Sequence, residues 1–418
     1  MATPEHTDHT PAEEAEATQR ERTSPAGLAL LFLRLGFTAF GGPAAHIAMM
    51  RQEVVERRKW MSNERFVDLI GVANMIPGPS STELAIYLGY LRAGWLGLLT
   101  AGVCFIGPAM LIVLAFAWAY VTYGSLPQVA WLFYGIQPVV VAIIAQAIWN
   151  LGRTIFKSIW AGVLAVPIFA LYLLGMNILL LLFGGATLFA LLRLGYRRWR
   201  PARQKPGTGI KSLFLAGTPA LLPMKYAALT SPFVGLAPAI VPFSLLLLFL
   251  IFLKMGAIVY GSGYTLLAFL RADLVQGLHW LTDKQLLDAV SIGQFTPGPV
   301  FTTATFIGYV LGGWPGALLA TLGIFLPSFL FIVLIHPVAA RLRQKVWTAA
   351  LLDGANVAAL ALMAGVLFQI GLHALIDLFT WLLALISLAL LLRFKFNSAW
   401  LILAGAAFGL LRFWVLRI

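Results

Sequence analysis

Two long stretches of this chain are copies of one another. Arg34-Leu-Gly-Phe-Thr-Ala-Phe-Gly-Gly42 lines up with Lys254-Met-Gly-Ala-Ile-Val-Tyr-Gly-Ser262. Arg51, Trp60, Asp68 and Pro77-Gly78-Pro79 line up with Arg271, Trp280, Asp288 and Pro297-Gly298-Pro299, all at an offset of 220. A one-residue indel shifts the register to 219 for Gly89-Tyr90, Trp95 and Pro108 against Gly308-Tyr309, Trp314 and Pro327, and Asn177 against Asn397 restores 220. The chain therefore divides into an acidic polar tail (1–27), a first repeat (28–195), a basic and proline-rich linker (196–242) and a second repeat (243–418). Whatever one repeat folds into, the other must fold into as well.

Each repeat holds six apolar segments. In the first they are about 28–50, 66–92, 94–121, 127–150, 155–174 and 177–195. Runs near 20 apolar residues match a lipid hydrocarbon core. The chain is 60% apolar and 11% charged, which excludes a soluble enzyme or a disordered protein. One cysteine, Cys104, allows no internal disulfide, and six scattered histidines show no ligand spacing. No metal or cofactor is expected. The net charge of +13 lies between apolar segments rather than in a basic domain, so no nucleic-acid partner is expected. The tail lacks the apolar core of a secretion signal. Between Glu83 and Asp273 there is no carboxylate at all, which suits a pathway for an anion.

The second segment of each repeat is cut by Pro-Gly-Pro. Two prolines remove two backbone donors and clash with a continuing helix. The segment either crosses as a broken helix or dips in and returns. Cations favour return: with the tail outside, loops carrying Arg51, Arg57, Arg58, Lys59 and Arg65, then Arg153, then Arg193 to Lys211, fall on one side. Five crossings per repeat would then turn the second repeat upside down. The expected fold is all-α and polytopic, with two inverted repeats, about ten transmembrane helices, two re-entrant hairpins and both termini outside.

After each Pro-Gly-Pro a half-helix begins, presenting free N–H groups and the positive end of its dipole. The candidate anion donors are Pro77, Gly78, Pro79, Ser80, Ser81 and Thr82, and Pro297, Gly298, Pro299, Thr302 and Thr303. Arg34 and Lys254 occupy matching places within the first segments, Lys254 the deeper. Gly41, Gly42 and Gly261 open those segments or let helices approach closely. Glu83 is a candidate carrier of a coupling proton, whereas Asp68 and Asp288 read as partners for a nearby cation, and Asn74 and Gln294 as hairpin hydrogen bonders.

Phe32-Leu-Arg-Leu-Gly-Phe-Thr-Ala-Phe-Gly-Gly-Pro-Ala-Ala-His46, the following Arg51 to Trp60 stretch, Pro77-Gly78-Pro79 and Gln294-Phe-Thr-Pro-Gly-Pro-Val-Phe-Thr-Thr303 resemble the chromate transporter family. The resemblance spans both repeats. It implies the family's long form, with opposed halves, exporting chromate across the bacterial inner membrane and conferring chromate resistance. The second repeat departs from the pattern with Gly261-Ser262-Gly263 in place of Gly-Gly-Pro. Chromate and sulfate are both tetrahedral dianions, so a sulfate or other oxyanion transporter is the nearest alternative, and an anion channel the next. A membrane hydrolase or reductase lacks any acid–base or cofactor constellation. The expected partners are the oxyanion, the bilayer and a second copy of the chain.

Overall fold

The computed structural model describes residues 24–156, 159–199, 242–260, 263–335, 345–394 and 396–415. Most of the tail and linker, and Gly261, lie outside the described residues. Among the described residues there are fourteen α-helices and no strand. The first repeat contains α1 (Pro25–Thr38), α2 (Gly42–Arg51), α3 (Asn63–Ala73), α4 (Ser80–Tyr123), α5 (Pro127–Ile155), α6 (Ile159–Leu173) and α7 (Ile178–Trp199). The second contains α8 (Leu245–Ile258), the short α9 (Leu266–Leu270), α10 (Asp283–Phe295), α11 (Thr303–Ile335), α12 (Val346–Ala374), α13 (Leu378–Phe394) and α14 (Ser398–Val415). Helices α4, α5, α7, α11, α12 and α14 are long and apolar enough to span a bilayer, and α1, α6, α8 and α13 are shorter apolar helices. The chain is a multi-pass membrane protein.

Two glycine-dependent reversals shape each repeat. α4 folds back at Ala93–Gly94, where Gly94 has φ +58°. Gly89 then lies against the Gly97 carbonyl and Ala101, leaving no room for a Cβ, so arms 80–92 and 95–123 run antiparallel. α11 does the same at Gly312–Gly313: Gly308 faces Gly316, and the Thr305 and Thr321 hydroxyls hydrogen-bond at 2.7 Å. The chain also doubles back at Pro-Gly-Pro. The Arg92 guanidinium sits 4.6 Å above the Trp60 ring, which brings the start of α3 and the end of the first α4 arm together. In the second repeat Phe243 packs on both Trp280 (5.1 Å) and Gly312. Ser62 and Thr282 cap α3 and α10, Thr282 in a full capping box with Gln285.

The first segment of each repeat takes a different route from the one expected. α8 lies parallel to the long arm of α11: Leu245 meets Gly312, Leu248 meets Gly316 and Gly256 meets Ile324. The chain then breaks and returns. Lys254 Nζ reaches Asp273 at 2.5 Å, and the Trp280 N–H bonds the Leu274 carbonyl. Arg34 and Glu53 repeat this pairing in the first copy at 3.8 Å. α1 has 14 residues, about 21 Å of helix, against about 30 Å of hydrocarbon. Gly41 (φ +100°) and Gly42 (φ +78°) turn the chain back into α2. The segment 28–50 is thus a second hairpin that turns back part-way along α4, and the long helices of the bundle are the long arms of α4 and α11 with α5, α7, α12 and α14. The N-terminal end of α1 accordingly lies beside the α3 opening, not at the opposite end as expected.

Matching helices of the two repeats run in opposite directions. The long arms of α4 and α11 cross antiparallel, with Gly102 on Phe329, and Tyr120 near the far end of the α4 arm reaching Phe306. α5 runs antiparallel to α14, through close contacts of Gly135 with Gly405 and of Trp131 with Gly409, and parallel to α13, through Tyr134–Asp377 (2.6 Å) and Gln146–Leu391 (3.0 Å). Reciprocally, α12 of the second repeat packs on α6 and α7 of the first, with Arg193 bonded to Asp353 and Gly365 on Tyr172. Each repeat thus finishes the core of the other. Among the described residues, one end of the bundle collects Arg51, Arg57, Arg58, Lys59, Arg65, Arg92, Arg153, Arg193, Lys345 and Arg393; the other has Arg271, Lys284 and Arg412.

Candidate functional site

Each Pro-Gly-Pro tip is seated on the opposite repeat. Gly78 donates its N–H to the carbonyl of Val259, where α8 breaks, at 2.8 Å. Gly298 donates to the carbonyl of Ala39, where α1 breaks, also at 2.8 Å. The two bonds are images of one another at the repeat offset. Both glycines need their left-handed backbone, with φ +135° and +92°. Pro77, Pro79, Pro297 and Pro299 flank them. These tip amides, expected as anion donors, are tied down in this conformation. Thr82 and Glu83 N–H groups bond back to the Pro79 carbonyl, and Thr302 N–H to that of Pro299. The N–H groups of Ser80 and Ser81, and of Val300 and Phe301, have no acceptor within their own helices.

The side chains break the symmetry. At the first tip Ser81, Thr82 and Glu83 are fully buried, and Ser328 of α11 donates to Glu83 Oε1 at 3.4 Å. Glu83 Oε1 and Ser328 Oγ press on Gly78 so closely that no Cβ fits there. Glu83 Oε2 and Thr82 Oγ1 have no hydrogen-bond partner. At the second tip the positions of Glu83 and Ser328 are taken by Thr303 and Ala109. Thr302 and Thr303 turn their hydroxyls back onto the Pro299 and Val300 carbonyls (2.7 and 2.8 Å). Beside them lies a gap of about 10 Å³ lined by Gly263, Gln294, Val300 and Thr303. Gln294 Nε2 is a buried donor without an acceptor there, so it does not brace the hairpin as expected.

His46 joins the two tips. Its Nε2 faces the Ala39 carbonyl at 3.0 Å and its Nδ1 faces Ser81 Oγ at 3.2 Å. A carbonyl only accepts, so Nε2 carries the hydrogen, and in the neutral ring Nδ1 accepts a hydrogen bond from the Ser81 hydroxyl. The Ala39 carbonyl therefore accepts from both His46 and Gly298. Leu266 fills the matching place in the second repeat. The sequence showed His46 in a motif without assigning it a role.

Arg34 and Lys254 are not free cations. Arg34 is 63% exposed and faces Glu53, which Arg57 also holds at 2.6 Å; Lys254 is 37% exposed and faces Asp273. The signal was present, since Glu53 and Asp273 also match at an offset of 220. Asp288 is buried, as expected of a structural acid, but its donors are Tyr120 and Gln137 of the first repeat, each at 2.9 Å, rather than a cation. Asp68, its match, is exposed. Among the described residues no group of His, Cys, Asp and Glu side chains could hold a metal ion.

The profile of the Chromate transporter family matches residues 26–190 and 246–410, two stretches that begin 220 residues apart. The chain is 36% identical to a chromate transport protein of Cupriavidus metallidurans, over 91% of each chain. It is 32% identical to a probable chromate transport protein of Synechococcus elongatus (85% of this chain, 87% of the relative) and 32% identical to a chromate transport protein of Pseudomonas aeruginosa (85% and 83%). No solved structure matches it significantly. Two matches in one chain, in the register of its own repeat, show that the chain belongs to the chromate transporter family.

Proposed function

We propose that this protein is a secondary transporter that moves chromate outward across the bacterial inner membrane, by alternating access around the two Pro-Gly-Pro tips. Three relatives, of which the chain covers 83–91%, carry chromate transport in their names. The single observation that supports the site is the reciprocal seating of Gly78 on Val259 and Gly298 on Ala39. It brings two half-helix N-termini and two helix breaks to the depth where the long arms of α4 and α11 cross. Half-helix ends of this kind are suited to an anion because their amides and dipoles need no countercharge from the protein. The basic end of the bundle faces the cytoplasm in this reading, by the excess of Arg and Lys there. Opposite helix directions then make the halves inverted across the bilayer.

Efflux of labelled chromate from loaded cells tests this, with survival on chromate as the companion measurement. Cells carrying the protein should empty faster and tolerate more chromate than cells without it. Competition by excess sulfate at equal strength would assign the site to tetrahedral dianions generally; saturable flux with counter-transport distinguishes a carrier from a channel. Efflux and survival equal to the empty control would refute the reading.

A further inference from the structure

We infer that the two tips have divided the work: the first repeat's tip is a proton site built from Glu83, Thr82 and Ser328, and the second repeat's tip, with Gln294, is where the anion finds its donors. This rests on the transporter reading above and deepens it. The ground is which atoms at each tip lack partners. At the first tip the orphans are Glu83 Oε2, a carboxylate oxygen with no donor, and Thr82 Oγ1, a hydroxyl that can donate or accept. An anion placed there would meet a carboxylate. At the second tip no acid is present, both threonine hydroxyls are already spent on carbonyls, and the orphan is the donor Gln294 Nε2, on a small gap beside Val300 and Thr303.

Space identifies the positive guest. A metal cation bound by carboxylate and hydroxyl oxygens needs a cage of several oxygens more than 2 Å from it. Around Glu83 there is none: its carboxyl and the Ser328 hydroxyl are packed against the Gly78 backbone. A proton needs no volume. The groups facing Glu83 are Ser328 from α11, Tyr260 beyond the end of α8 and, through Ser81, His46 of α2. No Lys or Arg is bonded to it among the described residues. An isolated buried carboxylate is costly; binding a proton removes its charge, and losing the proton restores it. Because Ser328 belongs to the opposite repeat, protonation acts on a contact between the halves, which is the contact that alternating access must remake. The step is proton binding and release only; no other bond changes.

Purified protein in liposomes tests this with two assays, run with chromate and with sulfate in parallel. One is counterflow, in which internal and external anion exchange without net driving force. The other is accumulation driven by an imposed pH difference. Glu83→Gln, and separately Glu83→Thr, which installs the residue of the second repeat, should keep counterflow within about threefold of wild type. Both should lose at least tenfold in pH-driven accumulation. Gln294→Leu should raise KM at least tenfold in both assays. The inference is overturned if either Glu83 variant still accumulates anion as wild type does. It is overturned equally if a sodium gradient replaces the pH difference, or if both variants lose counterflow while remaining monodisperse in detergent. Wild-type protein that exchanges sulfate but not chromate would instead refute the chromate reading and leave the proton site to be judged on sulfate.

Discussion

At the level of single residues, His46 and the tip glycines carry the sharpest consequences. His46 spends one nitrogen on Ala39 and one on Ser81, and so fixes the spacing between a helix break and a half-helix start. Glutamine offers a donor and an acceptor on one planar group, whereas leucine is what the other repeat uses. His46→Gln should retain transport; His46→Leu should raise KM about tenfold, equivalent to one hydrogen bond. Ser81→Ala should give the same rise and add little to His46→Leu, because both remove one linkage. Additive effects in transport assays would show the two act separately. Gly78→Ala forces a Cβ onto Glu83 and Ser328 at a backbone angle that L residues avoid. It should cost about 1–3 kcal/mol, seen as a lower melting temperature in detergent. At this scale the sequence was only partly informative. Repetition exposed Gly78, Gly298, Arg34 and Lys254. It held the matched carboxylates Glu53 and Asp273 without showing that they face these cations, and it could not show that Gln294 points at the gap. Those depend on side-chain direction, which one chain's spacing does not encode.

At the level of helices and hairpins, the paired charges on the first segments decide what Arg34 and Lys254 are for. If Lys254 serves chiefly to hold the return of its hairpin, Lys254→Ala leaves the half-buried Asp273 without its cation. Removing both partners should then be better tolerated than removing one. Protein yield and melting temperature should be higher for Lys254→Ala/Asp273→Ala than for Lys254→Ala alone. Equal loss of transport in both, with normal stability, would mean the ammonium itself is needed by the substrate. The Pro-Gly-Pro breaks were legible because proline leaves a direct mark on the chain. The fold-back after α1 was not, because Gly41-Gly42 reads equally as close packing, and an apolar run of 23 residues (28–50) looks long enough to cross. Only the parallel course of α8 along α11 shows that it goes half-way.

At the level of the whole molecule, the ends of the chain can be checked directly. α1 begins at the basic end and α14 finishes at the other. Likewise Trp199, at the end of α7, and Pro242, before α8, lie at opposite ends of the bundle. Cysteines placed at Ser24 and Trp199 in a Cys104→Ala background should be shielded in intact cells from a membrane-impermeant maleimide. Cysteines at Gly124 and Pro242 should react. Labelling of Ser24 and Gly124 alike would contradict the half-depth route of α1. The exchange of helices between repeats was the least legible feature, since apolar periodicity says that a helix is buried but not by whom. Gly135 and Gly405 show how tight that exchange is: neither has space for a Cβ against the other's backbone.

This interlocking bears on how the molecule is made. α5 emerges from the ribosome long before α13 and α14, the helices that cover it. Until synthesis is nearly finished, the first half must wait in the bilayer with its glycine faces against lipid. Two fragments divided inside the linker should consequently rescue one another when produced together, and each should be degraded when produced alone.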